Sequence, residues 1–140
     1  MTDDGPVLDQ LNLVVSDMER SVAFYRLLGV DVGDTLARWQ PHHRSARAGV
    51  DLDFDSVRFA RDWNTGSTGP GVVLGFKVPT RDGVDELCAR MRDQGYGVQQ
   101  EPFDAFWGAR YAVVEDPDGN PVGLMSPIDP ERRREHPPPY

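Results

Sequence analysis

Val114-Glu115-Asp116-Pro117-Asp118-Gly119-Asn120-Pro121-Val122-Gly123-Leu124-Met125 decides the fold. Asp-Pro opens a turn, and Asp-Gly-Asn supplies residues that tolerate a left-handed backbone. Apolar residues lie on both sides, Tyr111 to Val114 before and Val122 to Met125 after, so the stretch predicts a hairpin. Near the other end, Leu11, Leu13 and Val15 alternate with Gln10, Asn12 and Val14, the period of a strand. Ser16-Asp17-Met18-Glu19 then reads as a capping box, in which Ser16 accepts from the Glu19 amide and Glu19 reaches back.

Between these ends the pattern repeats. Val7 to Val15 is the first strand, and the helix that follows runs to Leu28. Its apolar face is Met18, Val22, Tyr25 and Leu28 or Leu27, with Gly29 as a left-handed stop. A short strand is expected within Val30 to Trp39, a loop at Gln40 to Ser45, and paired strands from Ala46 to Phe54. Ser56 to Trp63 fits either strand or helix, and Asn64 to Gly71 is a turn-rich linker. The order then restarts. A strand spans Val72 to Val78, and a helix spans Arg81 to Gln94 with Val84, Leu87, Cys88 and Met91 on one face and Gly95 as its stop. Three strands follow, Val98 to Pro102, Phe106 to Val114 and Val122 to Met125. Two copies of strand–helix–three strands give an α+β protein with modules at about 7–65 and 71–127, the two sheets facing each other to bury both faces. The charged, proline-rich stretch 128–140 is read as a disordered tail.

Composition narrows the function. The chain has 140 residues, 39% apolar and 27% charged, which suits one soluble globular domain with a real core. With 15 basic and 23 acidic residues its net charge is −8, a poor match for nucleic acid or an anionic membrane and a better one for cations. A single cysteine excludes an intramolecular disulfide and suggests a reducing compartment. No apolar run reaches the ~18 residues of a membrane span, and Met1 to Pro6 does not read as a signal peptide, so a cytoplasmic location is expected.

The two quoted ends, with Arg20-Ser21-Val22-Ala23-Phe24-Tyr25-Arg26-Leu27-Leu28-Gly29, resemble the vicinal oxygen chelate superfamily of glyoxalase I, extradiol dioxygenases and bleomycin-resistance proteins. The resemblance covers about residues 7 to 127 and implies two tandem βαβββ modules forming a cleft-bearing mixed sheet. It also implies a homodimer. Metal-binding members take their ligands from matching strands of the two modules, because inward-facing strand positions hold convergent donors rigidly. The first-strand ligand position falls on Gln10, a weak neutral donor, and its counterpart in the second module on Val73, which has none. The last-strand glutamate, normally separated from the end of Asp-Pro-Asp-Gly-Asn by two residues and standing just before Leu, falls on Gly123. The fourth position falls on Asp53, with Asp51 and Asp55 as its neighbours on the same strand face.

The expected function is therefore metal-free binding of a small molecule, as the bleomycin- and mitomycin-resistance proteins of that superfamily do, with no cofactor and a divalent metal disfavoured. Candidate ligand-binding residues are Gln10, Trp39, Asp53, Phe54, Trp63, Trp107 and Tyr111. The aromatic members offer flat surfaces for planar or cationic guests. Phe54 and Phe76 also read as core. The Asp51/Asp53/Asp55 stripe is read first as a solvated strand face and second as an acidic lining. His42 and His43, adjacent in a polar loop, are expected to face solvent, and Cys88 to be core. The rival reading is an enzyme of the same superfamily, a metal-dependent lyase, isomerase or dioxygenase, with His42 or His43 joining Gln10 and Asp53. A metal-free version would use Gln10, Asp53, Glu115 or Tyr111 for acid–base work. A third is a regulatory subunit whose cleft is filled by side chains.

Overall fold

The structure, a computed structural model, describes residues 5–28, 30–47 and 49–136. The first module is β1 (Val7–Val15), α1 (Met18–Leu27), β2 (Asp31–Val32), β3 (His43–Arg47) and β4 (Asp51–Ser56). A helix, α2 (Val57–Trp63), settles the ambiguous segment, capped by the Ser56 hydroxyl accepting from the Phe59 amide. The second module is β5 (Gly71–Lys77), α3 (Arg81–Asp93), β6 (Val98–Asp104), β7 (Arg110–Glu115) and β8 (Pro121–Met125). The α+β class and the paired βαβββ modules expected from the sequence are present.

Local chemistry explains most boundaries. Helix α1 starts one residue later than the capping box implied: Asp17 is the N-cap, its carboxylate accepting from the Arg20 amide at 3.1 Å. Thr80 caps α3, and Gly95, at φ 95°, provides the left-handed exit. The corresponding stop, Gly29, lies outside the described residues. At the β7–β8 turn the Asp116 carboxylate accepts from the amides of Asp118 and Asn120, and Gly119 takes φ 86°. The side chain of Asn120 donates to the same carboxylate, and this bonding holds its pKa below the usual range.

The strands form one eight-stranded sheet, in the order β2-β3-β4-β1-β5-β8-β7-β6. The expectation of two sheets facing each other is corrected here. The modules join edge to edge through the antiparallel β1–β5 pair, so backbone hydrogen bonds run across the module boundary. Within each module the first and last strands are parallel neighbours, β1 with β4 and β5 with β8.

Side-chain alternation divides the sheet into two faces. On one, α1 covers Leu52 and Phe54 with Met18 and Val22, and α3 covers Ala112, Val114 and Leu124 with Val84 and Cys88. On the other, α2 packs Phe59, Ala60 and Trp63 against Val14, Val73, Tyr111 and Val113. The 128–140 stretch also departs from the expected disorder, over residues 128–136. The Asp129 amide donates to the Gly108 carbonyl, the Arg134 amide to the Phe106 carbonyl, and Pro130–Arg132 forms a 3-10 turn. Among the described residues no helix is long and apolar enough to cross a membrane.

Candidate functional site

A cavity of about 950 Å³ opens on the α2 face of the sheet. His43 on β3 and Tyr111 on β7 both line it. They lie five strand intervals apart, about 24 Å in a flat sheet, so the sheet curves around the space. The volume suits a drug-sized molecule. A cleft filled by its own side chains is not what is found.

One end of the cavity is polar, and the first module supplies it. On β4 the odd residues face the cavity and the even ones the α1 core, so Asp53 and Asp55 line the space. The Asp stripe is only partly a solvated face: the Asp51 side chain is 44% exposed, but Asp55 is 2% exposed. Its two oxygens are both engaged, one by His43 Nδ1 at 2.6 Å and the other by the Asn12 amide nitrogen at 3.0 Å. Gln10 donates through Nε2 to Asn12 at 3.1 Å and to Asp53. The result is a continuous chain, His43–Asp55–Asn12–Gln10–Asp53, across β3, β4 and β1.

Burial and mutual charge shift these groups. Burial alone would lower the pKa of His43, but the hydrogen bond and charge of Asp55, with the charge of Asp53, overcome it and raise the pKa above the ordinary value. Asp53 is also raised, by burial first and by the Asp55 charge, with His43 pulling the other way. The phenol of Tyr111 is pushed far above its usual range by burial and by the same two carboxylates, so it stays a neutral donor.

The other end is aromatic. Trp39, Trp63, Trp107 and Tyr111 line it. Tyr111 meets Trp63 and Trp107 edge-on at ring-centroid distances of 5.9 and 5.5 Å, and the Trp107 indole donates to the Met125 sulfur at 3.2 Å. Phe59 lies between Trp39 and Phe106, 5.2 and 6.3 Å away.

Of the seven candidate binding residues, six line the cavity: Gln10, Trp39, Asp53, Trp63, Trp107 and Tyr111. Phe54 does not. It is 0% exposed in the α1 core, as the strand period requires for a residue between Asp53 and Asp55. The expectation that His42 and His43 face solvent is also corrected. His43 belongs to a strand and lines the cavity, while His42 bonds Ser56 Oγ at 3.0 Å. Sequence reasoning placed His43 in the site only under the rival enzyme reading and missed Asn12 and the tail residue His136; all three line the cavity. Asn12 carried a signal, since it shares the inward face of β1 with Gln10. His136 carried none, because its position depends on the path of a remote segment.

The strand register locates the superfamily's metal positions. Asp53 pairs with Asn12 in the first module as Gly123 pairs with Gly75 in the second. Gln10 and Val73 each lie two residues before those partners. Asp53 and Gly123 are thus counterparts, as are Gln10 and Val73. Two of the four positions hold no donor. Gln10 and Asp53 are bonded to each other, and the place of a side chain at Gly123 is taken, because a Cβ there would lie 2.5 Å from the Tyr111 hydroxyl. These residues do not fit the four-donor site, and among the described residues no group of three or more His, Cys, Asp or Glu side chains is placed to hold a metal.

Comparison with known proteins agrees with the fold. The chain is 29% identical over 121 residues to a lactoylglutathione lyase of Salmonella typhimurium, covering 84% of this chain and 90% of that one. A Legionella pneumophila structure described as an NAD-dependent benzaldehyde dehydrogenase superposes with a TM-score of 0.63 at 19% identity, over 84% of this chain and 96% of that one. Methylmalonyl-CoA epimerase from Mycobacterium tuberculosis does so with a TM-score of 0.55 at 20% identity, over 87% and 88%. At such identities the structures share the fold alone. The family model for the Glyoxalase/Bleomycin resistance protein/Dioxygenase superfamily matches residues 7–124, nearly the whole of both modules, and the chain belongs to that superfamily.

Proposed function

We propose that the cleft binds a small, flat, positively charged organic molecule without a resident metal. One observation carries this reading: two carboxylates, one fully buried, stand at the polar end of a cavity that Trp39, Phe59, Trp63, Phe106, Trp107 and Tyr111 also line. Aromatic faces attract flat cations, and a recessed carboxylate in low dielectric attracts them more strongly than one at the surface. Arg38, Lys77 and Arg133 also line the space, but all three are exposed, and Lys77 pairs with Asp9 at 3.7 Å. Asp55 is buried and Asp53 half-buried, whereas Glu135, which also lines the space, is exposed like the three basic groups. Sequestration of such a guest needs no bond-making step. A homodimer is part of the same proposal, as is the absence of nucleic-acid and membrane partners that the net charge of −8 favours.

The experiment is a binding panel on metal-stripped protein, read by tryptophan fluorescence and calorimetry, with flat organic cations set against neutral and anionic molecules of equal size. Micromolar binding of the cations alone, unaffected by Ni²⁺, Zn²⁺, Mn²⁺ or Fe²⁺, is the expected result. Retention of about one metal per chain, or a preference for anions, overturns the proposal.

A second reading is favoured by the 2.6 Å His43–Asp55 contact, an arrangement in which a carboxylate orients an imidazole as a proton acceptor. Under it the cleft performs metal-free acid–base chemistry. A lactoylglutathione lyase assay with and without added metal separates the two, since a binder is inactive in both.

A further inference from the structure

His136 occupies an aromatic corner of the cavity. Its ring lies 4.6 Å from Phe106, 5.1 Å from Trp39 and 5.7 Å from Phe59, centroid to centroid, at angles of 66° to 83°. Its Nε2 is 3.1 Å from a carboxylate oxygen of Asp62 on α2. The side chain is only 12% exposed, although its neighbours Arg134 and Glu135 are exposed. Three aromatic rings and one carboxylate around a flat nitrogen ring make a cage for an aromatic cation, of the kind that recognises such groups in ligands. It adjoins the polar end described above, since Phe59 also lies 5.9 Å from the His43 ring, but its acid is Asp62, and its rings come from the turn before β3, from α2 and from the β6–β7 loop.

We propose that this corner is a separate subsite for a flat nitrogen cation of imidazolium size, and that the chain's C-terminal segment is its built-in competitor, with His136 standing where the guest's ring would sit. The inference rests on the reading of the cavity as a binding cleft and adds where an aromatic cation enters it. The segment is held independently of the histidine. Asp129 and Arg134 fasten it through backbone bonds to Gly108 and Phe106, and the Arg134 guanidinium donates to the Asp104 carbonyl at 2.9 Å. Removing the imidazole therefore leaves the strap in place and vacates the cage. Guest and tail ring compete for one volume, so the tail lowers apparent affinity by the fraction of time it is docked.

The test uses 1,3-dimethylimidazolium, a permanent flat cation, titrated into the full chain and its His136→Ala and His136→Ala/Asp62→Asn variants, with circular dichroism confirming the fold. The single variant is expected to bind the probe at least tenfold more tightly than the unaltered chain, and the double variant to lose most of that gain. In the unaltered chain, NMR should show the His136 ring protons shifted upfield by the surrounding rings. High probe concentrations should return them toward positions of a free histidine. Equal affinity in the unaltered and His136→Ala chains, no binding by the folded single variant, or His136 ring protons that ignore the probe each overturns the proposal. Failure here is distinguishable from failure of the general reading, because binding at the polar end depends on Asp53 and binding at this corner on Asp62.

Discussion

Strands β4 and β8 hold matching places in their modules, yet one presents Asp53 to the cleft and the other Gly123. The same contrast runs through β1 and β5, where Gln10 answers to Val73 and Asn12 to Gly75. One half of the sheet carries polar groups on its cavity face, linked into a hydrogen-bonded chain. The other half presents Val73, Gly75 and Gly123 at the matching places, with the Tyr111 ring laid over Gly123. A duplicated fold built to hold one ion needs donors from both halves. With donors in one half only, the two halves of the sheet present a polar floor and an apolar wall to the same cleft.

The largest effect that could break the comparison comes from confusing the faces of β4. Phe54 lies between two cleft residues but belongs to the α1 core, so Phe54→Ala should cost about 3–5 kcal/mol of stability. Urea denaturation measures it. Guest affinity at low denaturant should be unchanged, and if affinity fell while stability held, Phe54 would belong to the cleft after all.

Next is an attempt to restore symmetry. Gly123→Glu gives the second module the carboxylate that the metal-binding pattern calls for. A Cβ there meets the Tyr111 hydroxyl at 2.5 Å, so the substitution is expected to destabilise the fold by about 1–3 kcal/mol and to recruit no metal. Pairing it with Tyr111→Ala relieves the clash, at the expense of a buried aromatic ring. Elemental analysis of both variants decides the matter. One equivalent of metal retained by the single variant would mean that the second half has not lost its ligand geometry.

Much of this division could be read in the sequence, and the parts that could not share a physical cause. Alternation placed Asp53 and Asp55 together and Phe54 opposite them, because a strand's period depends on nothing beyond the strand. By that rule Phe54 should not have stood among the binding residues. The Asp-Pro-Asp-Gly-Asn turn fixed the register of β8 locally, and so the identity of Gly123. His43 was misplaced because Pro41 and its polar neighbours resemble a loop. Its membership of β3 comes from pairing with β4, a contact twelve residues away. The expectation that adjacent histidines point apart was sound, and it is why one meets Ser56 and the other the cleft. The tail was harder still. Its proline and arginine content describes a solvated segment, while its docking rests on backbone groups of Phe106 and Gly108.

A smaller effect tests the polar half directly. Asp53→Asn keeps the shape of the side chain and removes one recessed charge. Loss of a charge-assisted hydrogen bond should weaken a cationic guest by about tenfold, measured by calorimetry. The fold should be no less stable, because the raised pKa of Asp53 marks a site where the carboxylate is held against its preference. The matched substitution in the second module, Val73→Thr, should change guest affinity far less. Equal losses from the two would erase the division of labour between the modules.

The finest test is pH. His43 has a raised pKa when folded, so its contribution to stability is fully present below the ordinary value of 6.5 and is lost as pH rises through the folded pKa. Asp53 is raised too, and for an acid this means that the fold gains stability as pH falls through the folded pKa toward the ordinary value of 3.8. Both groups make the guest-free chain lose stability as pH rises through their folded pKa values. A cationic guest has the opposite preference, because protonated His43 and protonated Asp53 each remove negative charge from the cleft. Affinity should rise several-fold as pH climbs through the His43 pKa, the order expected for one like charge several ångströms away in a partly shielded site. Reciprocity requires that the bound guest lower the His43 pKa by the same factor, which an NMR titration reads directly. His43→Gln should flatten that part of the affinity profile and leave the step due to Asp53. A profile that stayed steep near neutral pH in His43→Gln would move the controlling proton to a group outside the hydrogen-bonded chain of the first module.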